Sequence, residues 1–360
     1  MLSFLRDQYG NASSQYSFGA EAKRAIEYAR NQVAVTIGAK ADEIVFTSGG
    51  SETNSWVLRG VADSYSGEAI HVITSAIEHS SVLNACRTLE IMGIDVTYLP
   101  VDNHGRVSLD NLKGAIKPNT KLVSIMLANN EIGTIQPIGT IGRFLRRHNI
   151  LFHTDAVQAV GHIPVNVNDL HTDFLTASAH KFNGPKGTGI LYKKGDIKLP
   201  SLICGGEQEH NLRAGTENVA GIVAAGYALE ESVDIMDENA IRLKAVVDGI
   251  VNGIKTKIPA VKINGDFENR MPGIVNLGFD GVSGESLVHL LDLKGVCVSS
   301  SSACTSGKDE PSHVLLALGL TTQQAKSAIR ISCGRYNTID EVEIIVSAVC
   351  EAYAIIKANQ

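Results

Sequence analysis

The sequence has few cysteines, no long apolar run and no block of basic residues, and each shortage excludes a class of protein. Its six cysteines are scattered without CxxC spacing, which favours reduced thiols in a cytoplasmic protein over a disulfide framework or a zinc site. No apolar run approaches the roughly 20 residues of a membrane span, and residues 1–7 lack the apolar length of a signal peptide. A formal net charge of −6 without any Lys/Arg block argues against a nucleic-acid partner.

The composition is that of a soluble globular protein with a large core. The 360 residues suffice for two domains, and 44% of them are hydrophobic against 19% charged. Between residues 44 and 192, short apolar runs alternate with helical patterns. The predicted strands cover 44–47, 72–74, 96–99, 122–127, 150–153, 174–177 and 189–192. This alternation predicts an α/β fold with a mostly parallel sheet between helices.

The pattern changes in the C-terminal part of the chain. Long amphipathic helices are predicted at 219–234, 240–256 and 340–357. Strands are predicted near 261–264, 274–279 and 329–332. The pattern from about residue 261 onward therefore indicates a smaller α+β unit.

A lysine and an aspartate each follow a predicted strand. Lys181 comes after an apolar run and is flanked by Ser178 and His180. In a Schiff-base enzyme such a lysine bonds an aldehyde, and the nearby hydroxyl and imidazole can hold the phosphate of the same molecule. Asp155 ends the preceding strand, with Gln158 in the next turn. In isolation such a lysine is a solvated surface group. Together, the amine and the carboxylate are the two groups that pyridoxal phosphate (PLP) needs, one for its aldehyde and one for its pyridine nitrogen.

Two further strand ends carry candidate cofactor residues. Gly50 and Ser51 begin a predicted helix, whose free N–H groups would bind an anion, although an ordinary strand-to-helix turn has the same pattern. His79 also lies at a helix start, where it could stack on a planar ring and move protons, or serve only as a polar end residue. Of Asn129 and Asn130, either could face the cofactor and one could serve only in a turn.

The C-terminal part offers a thiol and a guanidinium. Cys304 lies in the Ser/Gly-rich run 298–308, which is expected to be an exposed loop, and exposed thiols are the reactive ones. The alternative is a surface thiol without function. Cys297 is expected in the core. Arg330 lies inside an apolar strand, where it needs a partner, either a carboxylate ligand or a structural ion pair.

These residues resemble those of the cysteine desulfurases, a family in the class V aminotransferase group of PLP-dependent enzymes. The matching blocks run along nearly the whole chain in the family's order: FTSG at 46–49, EH at 78–79, NNEIG at 129–133, DAVQ at 155–158, HK at 180–181, RAGT at 213–216, NGD at 264–266, SACTS at 302–306 and IRIS at 329–332. The resemblance implies PLP fold type I. The large domain would cover 15–238, and residues 1–14 and 239–360 would form the smaller α+β domain.

The resemblance also implies roles in cofactor binding. Lys181 would bond the aldehyde, Asp155 would pair with the pyridine nitrogen, and His79 would stack on the ring. The remaining cofactor contacts would come from Gly50, Ser51, Asn130, Gln158, Ser178 and His180, and from Thr216 of the other subunit of a homodimer.

For the reaction, the resemblance implies that Lys181, His79 and Cys304 are catalytic. Asn130 and Arg330 would orient the carboxylate of L-cysteine, which would be converted to L-alanine. The sulfur would remain as a persulfide on Cys304, in a loop of the longer form typical of members that pass sulfur to acceptor proteins. One destination of such sulfur is iron–sulfur cluster assembly.

One departure from the family keeps alternatives open. Family members carry a short N-terminal strand ahead of the stretch matched by residues 10–14, and this sequence begins at Met1 without it. Its loss would remove part of the active-site wall, so a catalytically impaired PLP-binding homologue is one alternative. A selenocysteine or cystine lyase of the same group is another. A plain aminotransferase would leave the Cys304 loop unexplained.

Overall fold

The computed structural model describes residues 1–195, 197–300 and 310–359 and divides into two units. The larger unit consists of residues 1–99, 109–127 and 137–236. The smaller unit contains 100–108, 128–136 and the part of the chain from 237 onward. No helix in the described parts of the chain is long and apolar enough to cross a membrane.

The larger unit is built on a seven-stranded sheet in the order β1-β7-β6-β5-β4-β2-β3. The strands are β1 Ile44–Thr47, β2 His71–Ser75, β3 Asp95–Leu99, β4 Thr120–Ser124, β5 Leu151–Asp155, β6 Phe174–Ser178 and β7 Gly189–Lys193. Strand β7 runs antiparallel to both of its neighbours, whereas all the other pairs are parallel. The predicted α/β fold with a mostly parallel sheet is therefore confirmed.

Helices accompany this sheet along the chain. They are α1 Leu2–Arg6, α2 Ser17–Ile37, α3 Gly50–Ser64, α4 Ser80–Ile91, α5 Leu109–Ala115, α6 Ile138–Arg147, α7 Val167–Leu170, α8 Gln208–Asn211 and α9 Val219–Asp234. Every residue of β2, β6 and β7 is buried, because helices cover both faces of the central strands. The edge strand β3 has only Leu99 buried. Trp56 on α3 lies in the core beneath this sheet and is 0% exposed.

The smaller unit contains a three-stranded antiparallel sheet in the order β10-β9-β8. Its strands are β8 Lys262–Asn264, β9 Ile274–Gly278 and β10 Ala328–Ser332. Its helices are α10 Met236–Lys257, which begins at the end of the larger unit, α11 Gly284–Asp292, α12 His313–Ala317, α13 Thr322–Lys326 and α14 Val342–Ala358. An apolar core of α10, α11, α14 and the sheet holds the unit together.

Three details differ from the sequence predictions. Residues 1–14 belong to the larger unit and not to the smaller one, because α1 packs against α9. Residues 100–108 and 128–136 belong to the smaller unit, where Arg106 pairs with Asp266 and Thr134 bridges to Arg270. Cys297 is exposed, and the prediction that it lies in the core is wrong, since it follows α11 in irregular chain with its Sγ 3.8 Å from an Asp292 carboxylate oxygen.

Candidate active site

Asp155 is the last residue of β5, and its carboxylate lies in the interior of the larger unit. It is 4% exposed. Its Oδ1 accepts a hydrogen bond from the backbone N–H of Val157 at 3.0 Å, and its Oδ2 accepts one from Asn54 Nδ2 at 2.7 Å. Burial raises the pKa of Asp155, while these hydrogen bonds and the charges of His79 and Lys181 act to lower it. A carboxylate held in this way is suited to a cationic N–H partner.

Lys181 follows the end of the neighbouring strand β6, in the short 3-10 helix Ala179–Phe182. Because β5 and β6 are parallel neighbours, their carboxyl ends lie at the same edge of the sheet. The charge of Lys181 acts on Asp155, so the amine and the carboxylate are within electrostatic reach of each other. Ser178 closes β6, and its Oγ lies 3.0 Å from His180 Nδ1. The structure thus brings Lys181, Asp155, Ser178 and His180 to one edge.

His79 caps the N-terminus of α4. Its Nδ1 accepts a hydrogen bond from the backbone N–H of Ser81 at 3.2 Å. The ring is half-buried, and its charge also acts on Asp155. The histidine is therefore a helix cap and a neighbour of the Asp155 carboxylate at once.

The N-terminus of α3 lies against the same edge. Gly50 is the first residue of this helix, and a Cβ added to it would lie 2.9 Å from Val157 Cγ2 and 3.8 Å from Ser178 Cβ. Ser51 follows and is exposed. Backbone N–H groups at a helix start, together with the hydroxyl of Ser178, form a donor set that suits a phosphate.

An ion pair at the start of α3 was not predicted from the sequence. Glu52 accepts hydrogen bonds from Arg213 Nε at 3.0 Å and from the backbone N–H of Ser48 at 2.9 Å. Burial acts to raise the pKa of Glu52, but the bonds from Arg213 and Ser48 outweigh it and the pKa is lowered. Thr216 is exposed and lines a cavity of about 100 Å³ with Ser48 and Arg213.

The smaller unit brings together the two residues assigned to the substrate carboxylate. Arg330 lies on β10, and its Nη1 donates to the backbone carbonyl of Asn130 at 3.1 Å. Asn129 serves as turn chemistry, because its Oδ1 accepts from the backbone N–H groups of Glu131 and Ile132 at 2.8 and 3.0 Å. Of the two asparagines, Asn129 is thus the one whose side chain serves the turn.

For two predicted site residues, Gln158 and Cys304, the structure gives no contact to the rest of the site. Gln158 lies half-buried in the turn that follows β5. Cys304 lies outside the described residues. The five described cysteines are free thiols; burial raises the pKa of Cys86 to about 12 and that of Cys333 to about 11, so both are poor nucleophiles.

Sequence reasoning missed Glu78, which is 0% exposed beside His79. Its Oε1 accepts from Ser75 Oγ at 2.6 Å and from the backbone N–H of Met126 at 2.9 Å. Burial raises the pKa of Glu78 from 4.5 to about 8, aided by the charge of Asp155. Glu78 is thus a neutral acid at neutral pH. In the pair Glu78-His79 the sequence indicated a role only for the histidine, because neighbouring residues in the sequence do not reveal that a glutamate is buried.

We expect Glu78→Gln to flatten the pH dependence of stability. The pKa of Glu78 is 4.5 in the unfolded chain and about 8 in the folded chain. Between these pH values the folded state therefore binds one proton more than the unfolded state. The stabilisation that results is complete below the lower value and is lost as the pH rises through about 8. Urea unfolding of the cofactor-free proteins measures the free energy of unfolding of the native protein and of the variant. The native value minus the variant value should fall by roughly a few kcal/mol from about pH 4 to about pH 9. A difference that stays constant with pH would contradict a raised pKa.

Comparisons with known proteins identify the family to which the chain belongs. The model of the class-V aminotransferase family matches residues 1–345. A protein named cysteine desulfurase IscS from Dictyoglomus turgidum is 49% identical over 342 residues, which are 95% of this chain and 87% of that protein.

Solved structures also superpose on this chain. A NifS-like protein superposes with a TM-score of 0.93 at 37% identity, covering 98% of this chain and 94% of the other. SspA, solved in complex with cysteine, superposes with a TM-score of 0.81 at 36% identity, covering 93% and 94%. The chain therefore belongs to the class-V aminotransferase family, among the PLP-dependent cysteine desulfurases.

Proposed function

We propose that this chain converts L-cysteine to L-alanine with PLP as cofactor and leaves the sulfur on Cys304 as a persulfide. The observation that carries the proposal is the buried carboxylate of Asp155 within electrostatic reach of Lys181 and His79, at the sheet edge where α3 begins. These residues fit PLP: Asp155 for the pyridine nitrogen, Lys181 for the aldehyde, and Gly50, Ser51, Ser178 and His180 for the phosphate. Bound PLP supplies an electron sink conjugated to the substrate carbon.

The residues of the chain then have separate tasks. The amine of Lys181 would hold the cofactor and, when free, would move the proton at the substrate Cα. His79 is a second group that can move protons, since an imidazole nitrogen can accept a proton and give it up again. Arg330 can bind the substrate carboxylate with two parallel N–H donors, beside Asn130.

Sulfur transfer requires a thiolate. The Sγ of Cys304 attacks the sulfur atom of the substrate, and the S–S bond forms as the C–S bond breaks. The electron pair of the broken bond stays with the substrate carbon, which takes up a proton and becomes the methyl group of alanine. A thiol of an acceptor protein then attacks the outer sulfur of the persulfide, and the Cys304 thiolate leaves as the new S–S bond forms. We further propose that the enzyme is a cytoplasmic homodimer in which Thr216 reaches the cofactor of the other subunit.

Alanine release from L-cysteine, with PLP and a thiol reductant present, tests the proposal. We expect the native chain to release alanine, Cys304→Ala to release almost none, and the exposed-thiol controls Cys204→Ala and Cys297→Ala to match the native rate. Turnover that survives Cys304→Ala would favour a selenocysteine or cystine lyase. No alanine from any form, despite bound PLP, would favour an impaired homologue.

A further inference from the structure

Asn54 is a buried polar residue of α3 that contacts Asp155. It is 1% exposed. Its Nδ2 lies 2.7 Å from Asp155 Oδ2 and 2.9 Å from Ser81 Oγ. A side-chain amide carries two N–H donors, so one serves each neighbour. The reverse orientation would place Oδ1 against a carboxylate oxygen, which fixes the orientation of the amide.

The chain of hydrogen bonds continues from Ser81 to His79. The backbone N–H of Ser81 donates to His79 Nδ1 at 3.2 Å, so this nitrogen carries no proton. Ser81 Oγ lies 2.8 Å from the same nitrogen and already accepts from Asn54. The hydroxyl therefore shares the lone pair of His79 Nδ1 with the backbone N–H, and in this tautomer the imidazole carries its proton on Nε2.

We infer that Asn54 and Ser81 are positioning residues that join Asp155 to His79 in one hydrogen-bonded unit. The inference rests on the proposed function only for the assignment of Asp155 to the pyridine nitrogen and of His79 to the ring. All four residues belong to the larger unit, and every link in the chain is 3.2 Å or shorter.

The bond from Asn54 has a direct consequence for Asp155. Hydrogen bonds that favour the ionised carboxylate act against its burial, and Asn54 supplies the bond to Oδ2. An ionised carboxylate is what keeps a pyridine nitrogen protonated. Leucine at position 54 has the same number and branching of side-chain heavy atoms but no hydrogen-bond donor. We expect Asn54→Leu to weaken PLP binding roughly ten- to hundredfold, the range for a hydrogen bond to a charged group.

A cofactor analogue separates this role from a structural one. The dissociation constants of the full-length, cofactor-depleted protein are measured for PLP and for its analogue with C–H in place of the pyridine nitrogen. We expect the Asn54→Leu variant to bind PLP more weakly than the native protein does, and to bind the analogue with the same dissociation constant as the native protein. Ser55→Ala, on the same helix but outside the chain of contacts, should leave both constants unchanged. Equal losses for both ligands, or no loss for either, would overturn the role of Asn54.

The link from Ser81 to His79 has its own conservative control. We expect Ser81→Ala to weaken PLP binding roughly two- to tenfold, as for a neutral hydrogen bond, and Ser81→Thr, which keeps the hydroxyl, to restore it. Native binding in Ser81→Ala, or equal losses in both variants, would overturn this link. Neither experiment needs L-cysteine, so a chain that binds PLP but forms no alanine would contradict the proposed function and leave these tests intact.

Discussion

Replacement of Lys181 by alanine should reduce alanine formation from L-cysteine by at least about 10³-fold. The amine is the group at this sheet edge that can bond an aldehyde and also move a proton at the substrate Cα, so one substitution removes both functions. Lys181→Arg should fail as well, because a guanidinium keeps the charge but is never deprotonated in a protein. The initial rate of alanine release, measured at saturating PLP, checks this expectation.

A neighbouring lysine provides the matched control. Lys186 is exposed, and its charge, like that of Lys181, acts on His180. Lys186→Ala should therefore keep a rate close to native. Borohydride treatment should also fix PLP to the peptide that contains Lys181 in the native protein and in Lys186→Ala. A Lys181→Ala protein that retains a tenth or so of the native rate would show that another base carries the proton transfer.

The largest expected loss of stability is that of Glu209→Ala. Glu209 and Arg30 form a bidentate ion pair, at 2.7 and 3.0 Å, between side chains that are 4% and 3% exposed. Glu209 also accepts from the backbone N–H of Phe46 at 2.8 Å, at the edge strand β1. Removing one partner of a buried pair leaves the other charge uncompensated, which costs about 3–5 kcal/mol. Urea unfolding followed by the fluorescence of Trp56, the single tryptophan, reports on this unit.

The same arginine supplies the control. Glu27 also pairs with Arg30, at 3.2 Å, but its side chain is 44% exposed. Exposed pairs contribute about 0–1 kcal/mol, so Glu27→Ala should shift the urea midpoint little. Similar losses for Glu27→Ala and Glu209→Ala would contradict the account based on burial.

Much of the larger unit could be predicted from apolar periodicity. The bounds of β1 and α9 match the prediction, because each is a continuous apolar pattern with a clear stop. The strand predicted at 122–127 ends at Ser124, although Ile125 and Leu127 still donate to carbonyls of β5. The apolar run continues past the strand because these residues stay buried outside regular structure. Periodicity therefore reports burial more reliably than strand ends.

Sequence signals pointed to residues at strand ends and helix starts, and they did not point to Asn54 inside α3. Lys181 and Asp155 stand directly after apolar runs, a signal visible in the sequence. Asn54 lies one turn before Leu58 on the buried face of α3, so an asparagine in an apolar stripe was the available signal. Glu209 offered none, because its partner Arg30 is 179 positions away and a distant ion pair has no local pattern.

Sulfur transfer to Cys304 is the central claim, and the mass of the peptide that contains this residue tests it most directly. The native protein is incubated with L-cysteine and PLP without reductant, alkylated, digested and analysed by mass spectrometry. We expect one additional sulfur atom on the Cys304 peptide, absent from the Cys204 and Cys297 peptides and absent when Lys181 is alanine. Alanine release with no added sulfur on Cys304 would contradict it.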